Sequence, residues 1–320
     1  MTRQELNPST RPSAGKLPAS RHLLVLATAG FRDYALLDSG DGRKLERFGH
    51  VTVERPEPQA LWRPSLDAAM WQQADAVFSS SNAADDGEGG RWRKIKPVPD
   101  AWPVKVHGVS MICRLTNFRH LGLFPEQLPH WDWMLDWMRG IEGTPPRVLN
   151  LFAYTGAASL LAAAAGAEVT HVDASKKAIA WAKENQAASK LADAPIRWIL
   201  EDARKFVARE VRRGRTYHVI LVDPPKFGRG PEGEVWDVFT HLAPLLRDCA
   251  ALLAPEKAAL VLTTYAIRAS ALATDGLVRE CLADRDGTVE SGELALVEQS
   301  AAERFLPISL FTRWTSHAAG

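Results

Sequence analysis

Several features that define other protein classes are missing from this chain of 320 residues, which contains only three cysteines. Cys113, Cys249 and Cys281 are far apart and form no CxxC pair, so they predict neither a disulfide framework nor a zinc site. No apolar run reaches the roughly 18 residues of a membrane span, and the N-terminal residues lack the apolar segment of a secretory signal. These absences favour a cytoplasmic protein without a metal centre.

The chain also lacks an excess of charge of either sign. Its formal net charge is +1 and its sequence pI is about 7.8, so no overall field attracts nucleic acid. An RNA partner would need a local patch, and the best one is RWRKIKP, in which Arg91, Arg93, Lys94 and Lys96 surround Trp92. This patch suits phosphate contacts and base stacking, but it suits an exposed edge strand protected by charge at least as well.

Two further segments contain candidate RNA-binding residues but favour ordinary structural interpretations. The Trp-rich sequence HWDWMLDWM at 130–138 has helical spacing, which is more typical of a core or domain contact than of a base platform. The cations between residues 204 and 215 lie on a predicted helix and the loop after it, a pattern more typical of a solvated helix face.

Changes in composition and hydrophobic pattern along the sequence divide the chain into three predicted regions. Residues 1–20 are rich in Pro, Ser and Arg and predict a disordered arm. Residues 21–118 contain short apolar runs, a DG turn and alternating segments, which predict a small β-rich domain; its polar stretch 79–90 is expected to be a mobile loop. From 119 to 320 apolar strands alternate with helices, one of them predicted over 235–253, which indicates a mostly parallel α/β sheet covered on both faces.

Polar residues follow four of the predicted parallel strands, at the edge where such sheets bind ligands. The first strand ends in NLFAYTGAAS, whose single glycine does not make the GxGxxG fingerprint of pyrophosphate binding. Asp173 after the second strand suits ribose hydroxyls, and Glu201 and Asp202 after the third could accept a hydrogen bond from an exocyclic amine. A lone Asp at a strand end is more often a helix N-cap, but the set together suits S-adenosylmethionine better than a dinucleotide.

The fourth strand ends abruptly at Asp223, because the two prolines that follow lack a backbone N–H and have a fixed φ. Methyl transfer depends mainly on positioning and water exclusion, and Asp223-Pro224 forms a rigid edge that could aim an amino group through its carboxylate and a backbone carbonyl. Phe227 could stack on a flipped base. Lys226 could meet a phosphate or be an ordinary solvated lysine.

Residues 119–320 resemble the class I S-adenosylmethionine-dependent methyltransferases, in particular the bacterial 23S ribosomal RNA large-subunit methyltransferase I and K/L group. The matching segments are NLFAYTGAAS, VDAS, EDARKF and LVDPPKF, with GLFPEQ just before them. The resemblance implies a Rossmann-like fold, S-adenosylmethionine as cofactor, and Asp223 beside the methyl donor. It also implies that the cofactor is held by Gln127, Asn150, Phe152, Tyr154, Thr155, Gly156, Asp173, Glu201 and Asp202.

Two departures from that group narrow the expected chemistry. Its 5-methylcytosine members carry a cysteine nucleophile after the fifth strand, where this chain has LTTYAIRAS with Ala266 near that position. Methylation of pyrimidine carbon 5 needs a thiolate that adds to carbon 6, so this route is not expected. The group's RNA-binding PUA domain is not recognisable either. The predicted activity is methylation of a base in ribosomal RNA; a small-molecule or protein acceptor, or a non-catalytic RNA-binding module, are the alternatives.

Overall fold

A computed structural model describes residues 22–80, 89–265 and 267–317. The predicted arm, Ala266 and most of the predicted loop at 79–90 lie outside these residues, and no helix in the described part is long and apolar enough to cross a membrane. The strands are β1 Leu24–Thr28, β2 Tyr34–Gly40, β3 Arg43–Phe48, β4 Val51–Pro56, β5 Ala76–Ser80, β6 Gly90–Lys94, β7 Trp102–Val106, β8 Val109–Cys113, β9 Arg147–Leu151, β10 Glu168–Asp173, β11 Ile196–Leu200, β12 Val219–Val222, β13 Phe227–Arg229, β14 Val235–Asp237, β15 Ala259–Tyr265, β16 Gly287–Val297 and β17 Phe305–Ser316. The helices are α1 Ala68–Trp71, α2 Leu128–Arg139, α3 Ala157–Ala164, α4 Lys176–Ala188, α5 Ala203–Arg212, α6 Val238–Ala251 and α7 Ala271–Cys281, with a 3-10 turn at Pro125–Gln127.

The larger sheet confirms the predicted α/β fold class. Its strand order is β1-β16-β17-β15-β12-β9-β10-β11, and β9 to β12 and β15 pair in parallel while β17 runs antiparallel between β15 and β16. Its central strands β9, β12 and β15 are buried on both faces because helices cover both. In β9, Val148 joins the core beneath α2 and α3, whereas Leu149 joins the core beneath α5 and α6.

The N-terminal part is β-rich, as the alternating pattern predicts. It forms a five-stranded sheet in the order β2-β3-β4-β5-β6 and a β7-β8 hairpin. The strand β1, however, pairs in parallel with β16 and lies at the edge of the larger sheet. Gly292 permits this pairing, because a Cβ there would lie 1.8 Å from the backbone oxygen of Leu24.

The segment predicted as one helix over 235–253 is divided, so that prediction is wrong at its start. Strand β14 pairs antiparallel with β13, and α6 begins only at Val238. The Trp236 indole donates to the Pro225 carbonyl at 2.6 Å, and the Asp237 carboxylate accepts the N–H of Thr240 at 2.9 Å. The tertiary contact holds the first residues extended, and the capping contact fixes the start of the helix.

Candidate functional site

The carboxyl ends of β9, β10, β11 and β12 open onto a cavity of about 460 Å³, a volume typical of small-ligand sites. The structure brings the predicted cofactor residues together around it, along with Pro224. Lys226 and Phe227 do not line it but lie in the adjacent β13–β14 hairpin. The predicted residues that line the cavity are Gln127, Asn150, Phe152, Tyr154, Thr155, Gly156, Asp173, Glu201, Asp202, Asp223 and Pro224.

The loop after β9 has an unusual backbone. Phe152, Tyr154 and Gly156 have positive φ values of 55°, 49° and 86°, a conformation that costs most side chains about 1–2 kcal/mol. Aromatic contacts hold the first two residues in place, with the Phe152 ring 4.8 Å from that of Trp236 and the Tyr154 ring 5.4 Å from that of Phe124. Strained backbone maintained by its surroundings is typical of ligand-binding loops.

Asp173 is fixed by backbone groups from both sides. Its Oδ2 accepts the N–H of Tyr154 at 2.8 Å, and its Oδ1 accepts the N–H of Ser175 at 2.7 Å. Burial raises the pKa of Asp173, while these two hydrogen bonds act in the opposite direction. A carboxylate oxygen can accept more than one hydrogen bond, so Asp173 can still receive hydroxyl groups from the cavity.

The two acids after β11 have structural partners, and for Asp202 this is the helix N-cap that the sequence offered as the alternative. Asp202 caps α5, because its Oδ1 accepts the N–H groups of Arg204 at 3.0 Å and Lys205 at 3.2 Å. Glu201 forms a bidentate ion pair with the Arg209 guanidinium, with N–O distances of 2.5 and 2.6 Å. The Oδ2 of Asp202 has only a distant contact, 3.5 Å from the Arg204 guanidinium, among the residues described. That oxygen is the one best able to accept from a ligand amine.

The pKa of Asp223, at the end of β12, is strongly perturbed. Its Oδ2 accepts a hydrogen bond from the Gln127 side chain at 3.1 Å. Burial, and secondly the negative charge of the neighbouring Glu126, raise the pKa of Asp223 to about 7. The carboxyl is therefore poised near neutrality, where it can either accept a hydrogen bond or hold a proton.

Phe227 and Lys226 lie at the rim rather than in the cavity. Phe227 is 60% exposed, and the Lys226 ammonium lies 5.4 Å from its ring centroid. Two neighbours in the hairpin, Gly228 and Arg229, line the cavity itself. The hairpin thus presents an aromatic face and two cations beside the entrance.

The charge of the residues that line the cavity can be compared with the charges of S-adenosylmethionine. Among the described residues that line the cavity, one, Arg229, has a permanent positive charge. A cavity of this polarity suits a sulfonium and an ammonium group and opposes a diphosphate. No cluster of three or more potential metal ligands occurs in the described ranges. The carboxylates are those of Glu126, Asp173, Glu201, Asp202 and Asp223.

The predicted RNA patch lies on β6, which is an edge strand of the five-stranded sheet. The Trp92 ring packs 5.1 Å from Phe78, and its indole N–H donates to the Phe118 carbonyl at 3.1 Å. Trp92 is half-buried, and one edge of its ring and its indole N–H are engaged within the protein. The geometry follows the edge-strand alternative in this respect.

The cations of the same patch divide into two groups. Lys94 lies 3.6 Å from Asp100, and Lys96 lies 3.1 Å from Asp75. Arg91 and Arg93 are exposed and have no ion pair within the part of the chain that the structure describes. These two arginines are the members of the patch that can meet a partner.

Sequence reasoning missed several residues at the cavity, among them Tyr265, Trp236 and His130. Tyr265 is the last residue of β15, so the strand-end rule that found the acids could also have found it. The Arg119 guanidinium donates to its hydroxyl group and stacks over its ring at 5.2 Å. Nothing in the local sequence distinguishes His130 from an ordinary core residue.

The cysteines lie away from the cavity. Cys113 and Cys249 belong to the hydrophobic cores, and Cys281 is half-buried at the end of α7. Burial raises the pKa of all three thiols, that of Cys113 to about 12. They are therefore protonated at neutral pH and cannot act as the nucleophile of carbon-5 methylation.

Comparison with known proteins finds relatives of about half of the chain. The family described as conserved hypothetical protein 95 matches residues 133–241. Ribosomal RNA large subunit methyltransferase K/L of Hahella chejuensis (strain KCTC 2396) is 36% identical over 154 residues, which are 48% of this chain and 20% of that protein. Its namesake in Shewanella frigidimarina (strain NCIMB 400) is 35% identical over 166 residues, 51% of this chain and 22% of that protein. The chain thus spans about a fifth of these curated relatives.

A solved structure matches nearly the whole chain. The crystal structure of the SAM-dependent methyltransferase from Agrobacterium tumefaciens is 50% identical, with a TM-score of 0.88. The match covers 96% of this chain and 98% of that one. It therefore includes the β-rich N-terminal part as well as the larger sheet.

Proposed function

Because this chain belongs to the S-adenosylmethionine-dependent methyltransferases, we propose that it methylates a base of ribosomal RNA. The observation that carries the proposal is the placement of Asp223, held by Gln127 at the cavity with a pKa near 7. The curated relatives that share about half of this chain are named for ribosomal RNA methylation, which supports RNA as the acceptor.

Different residues around the cavity bind different parts of the cofactor in this proposal. S-adenosylmethionine supplies a methyl group already activated on a sulfonium, so the protein acts by positioning and by excluding water. In this proposal Asp173 would accept the ribose hydroxyls and Oδ2 of Asp202 would accept the adenine amine, since both acids line the cavity. The loop of Phe152 and Tyr154, with its positive φ values, would hold the methionine part.

Asp223 acts on the acceptor. Its ionised carboxylate accepts a hydrogen bond from an amino group and so directs the nitrogen lone pair toward the methyl group. A methylated amino nitrogen must then release a proton, and a carboxylate with a pKa near 7 can take it. Pro224 and Pro225 make this edge rigid because the proline ring fixes φ. The Pro225 carbonyl also accepts the indole N–H of Trp236, which anchors the edge further.

The rim of the cavity suits a nucleic acid. Phe227 is 60% exposed and Phe118 is 58% exposed, and aromatic faces of this kind stack on unpaired bases. Lys226 lies beside the first ring, and Arg91 and Arg93 extend the positive surface along β6. We assign phosphate contacts to these cations, which position RNA without reading its sequence.

The test is methyl transfer from radiolabelled S-adenosylmethionine to total RNA of a strain that lacks this protein, followed by mass spectrometry of the nucleosides. We expect one labelled nucleoside, loss of the label with Asp223→Asn, and full labelling with Asp136→Asn, which changes an exposed carboxylate on α2. No label in either naked RNA or ribosomal particles, with the donor still bound, would refute the RNA acceptor. A methyl group on cytosine carbon 5 would contradict the proposed chemistry.

A further inference from the structure

Three buried polar side chains form a hydrogen-bonded chain that begins at the cavity. Asn150 of β9 and His171 of β10 are paired in register, so their side chains lie on the same face of the sheet. Ser159 of α3 packs over that face. Nδ2 of Asn150 donates to Oγ of Ser159 at 3.0 Å, and this Oγ lies 3.0 Å from Nδ1 of His171. All three side chains are buried, and Asn150 is the one that lines the cavity.

The hydrogen bonds of this chain run in one direction. Oγ of Ser159 accepts the amide N–H of Asn150, so the Ser159 hydroxyl group can donate its own proton to Nδ1 of His171. Burial lowers the pKa of His171 to about 3, so the ring is neutral near pH 7 and can accept at one nitrogen. Nε2 has no hydrogen-bond partner in the described ranges. The contact with Ser159 therefore selects the tautomer, with the ring proton on Nε2.

The direction decides which end of the Asn150 amide meets the cavity. Ser159 engages Nδ2, and Oδ1 has no hydrogen-bond partner among the described residues. Because Oδ1 is not one of the enclosed side-chain atoms that lack a partner, it is open to the cavity. If His171 instead donated from Nδ1 to Ser159, the amide would be reversed and its NH₂ group would face the cavity. An amide oxygen accepts from an ammonium group, whereas an amide NH₂ donates to a carboxylate.

The place of β9 in the sheet indicates which part of the cofactor meets this oxygen. β9 lies between β12, which leads into Asp223 beside the proposed methyl position, and β10, which ends at Asp173, assigned to the ribose. The methionine arm of S-adenosylmethionine leaves the same sulfur atom as the methyl group and the ribose carbon. The ammonium group is the hydrogen-bond donor of that arm. An acceptor oxygen between the two acids therefore matches the ammonium group.

We propose that Ser159 and His171 are positioning residues for the cofactor, and that they orient the Asn150 amide so that its oxygen binds the ammonium group of S-adenosylmethionine. The inference deepens the proposed function on the side of the methyl donor, and it does not depend on RNA as the acceptor. Without the chain the amide can turn, and an NH₂ group would then face a positive charge. Loss of a hydrogen bond to a charged group weakens binding by about ten-fold or more.

Two substitutions of His171 separate the hydrogen bond from the space that the ring fills. Asn and Leu have nearly the same shape, so both variants lose a similar volume. Only Asn can place an oxygen near the position of Nδ1 and accept the Ser159 hydroxyl. In calorimetry with S-adenosylhomocysteine, we expect the Kd of His171→Leu to be about ten-fold above that of His171→Asn. Equal Kd values in the two folded variants would overturn the proposal.

A smaller substitution, Ser159→Ala, tests the chain with three ligands. 5′-Methylthioadenosine lacks the ammonium and the carboxylate groups, and decarboxylated S-adenosylhomocysteine keeps the ammonium group alone. We expect Ser159→Ala to weaken binding of S-adenosylhomocysteine and of its decarboxylated derivative about ten-fold, with the Kd for methylthioadenosine unchanged. A similar loss for methylthioadenosine, or a loss confined to the ligand that has a carboxylate, would overturn the proposal.

Ser291→Ala is the matched control. The Ser291 hydroxyl is also buried and hydrogen-bonded, to Asp275 at 3.1 Å and to Thr312 at 3.2 Å, in a part of the sheet away from the cavity. We expect this variant to lose stability as Ser159→Ala does but to bind all three ligands with unchanged Kd values. Equal weakening of S-adenosylhomocysteine binding in both serine variants would reduce Ser159 to a structural role.

Nuclear magnetic resonance tests the direction of the chain without any substitution in the measured protein. The ¹⁵N signals of a neutral histidine ring distinguish its protonated nitrogen from its bare one, and His171→Asn identifies the signals of His171. With S-adenosylhomocysteine bound, we expect a bare Nδ1 and a protonated Nε2. A proton on Nδ1 would overturn the proposal. If these results hold while no RNA is methylated, only the proposed RNA acceptor has failed.

Discussion

Replacement of Asp223 by Asn should stabilise the protein near and above neutral pH while abolishing methyl transfer. Burial and the charge of Glu126 raise the pKa of Asp223 from 3.8 to about 7. Between these values the folded protein holds a proton that the unfolded chain has released. The free energy of unfolding therefore falls as the pH rises through this window. An Asn at this position has no charge to bury, so the free energy of unfolding of the variant does not fall in this way as the pH rises.

The size of the effect follows from the same shift. The difference between 7 and 3.8 is about 3 pKa units, which corresponds to roughly 4 kcal/mol at 1.36 kcal/mol per unit. That figure is an upper limit, because the carboxylate faces a cavity that water can enter and accepts a hydrogen bond from Gln127. We expect the Asn variant to gain about 1–2 kcal/mol above pH 7 relative to its difference at pH 4.

Urea unfolding followed by tryptophan fluorescence at a series of pH values between 4 and 8.5 measures this gain. The advantage of Asp223→Asn should grow from about pH 4 to pH 7 and stay constant above. Asp136→Asn, at an exposed carboxylate, is the control and should show no such growth. An advantage that does not depend on pH, or a variant less stable than the wild type at pH 8, would refute the reasoning about buried charge.

Three further predictions concern the cofactor, the RNA and the thiols. Asp173→Ala should weaken binding of S-adenosylhomocysteine by about 1–3 kcal/mol in calorimetry, the usual cost of losing a charged hydrogen bond; unchanged affinity would remove Asp173 from the site. Phe227→Ala should weaken RNA binding by about 1–3 kcal/mol in a filter-binding assay through lost stacking, and loss of cofactor affinity instead would argue against a rim position. Cys113→Ala, Cys249→Ala and Cys281→Ala should each retain methyl transfer in the radiolabel assay, because burial keeps these thiols protonated; a folded variant that loses activity would restore the thiolate mechanism.

The location of the candidate site could be predicted because strand ends are encoded locally. Apolar runs that stop at Asp173, Asp202 and Asp223 define parallel strands, and their carboxyl ends meet at one edge. The helix N-cap alternative could also be read from the sequence, and Asp202 does cap α5. The pKa of Asp223 could not be predicted, because burial and secondly the charge of Glu126 depend on three-dimensional neighbours.

Contacts between distant segments explain the other differences. Trp92 lies in a basic sequence, yet its ring packs against Phe78 and its indole N–H donates to the Phe118 carbonyl. The helical spacing of 130–138 predicts a buried face for α2, and His130 is buried. Spacing cannot distinguish a buried ring that has a hydrogen-bond partner from one that has none, so the unpartnered state of His130 among the described residues could be found only in the structure.

The pairing of β1 with β16 has a consequence for the newly made chain. The ribosome completes β1 at Thr28 long before it reaches Gly287, where the partner strand begins. At about 5–20 residues per second, that interval lasts on the order of tens of seconds. Throughout it the N–H and C=O groups of β1 have no sheet to join, and an unpaired strand is a template for association with other chains. Of the described strands, β1 leaves the ribosome first and is among the last to gain its sheet partner, so aggregation during synthesis should begin there.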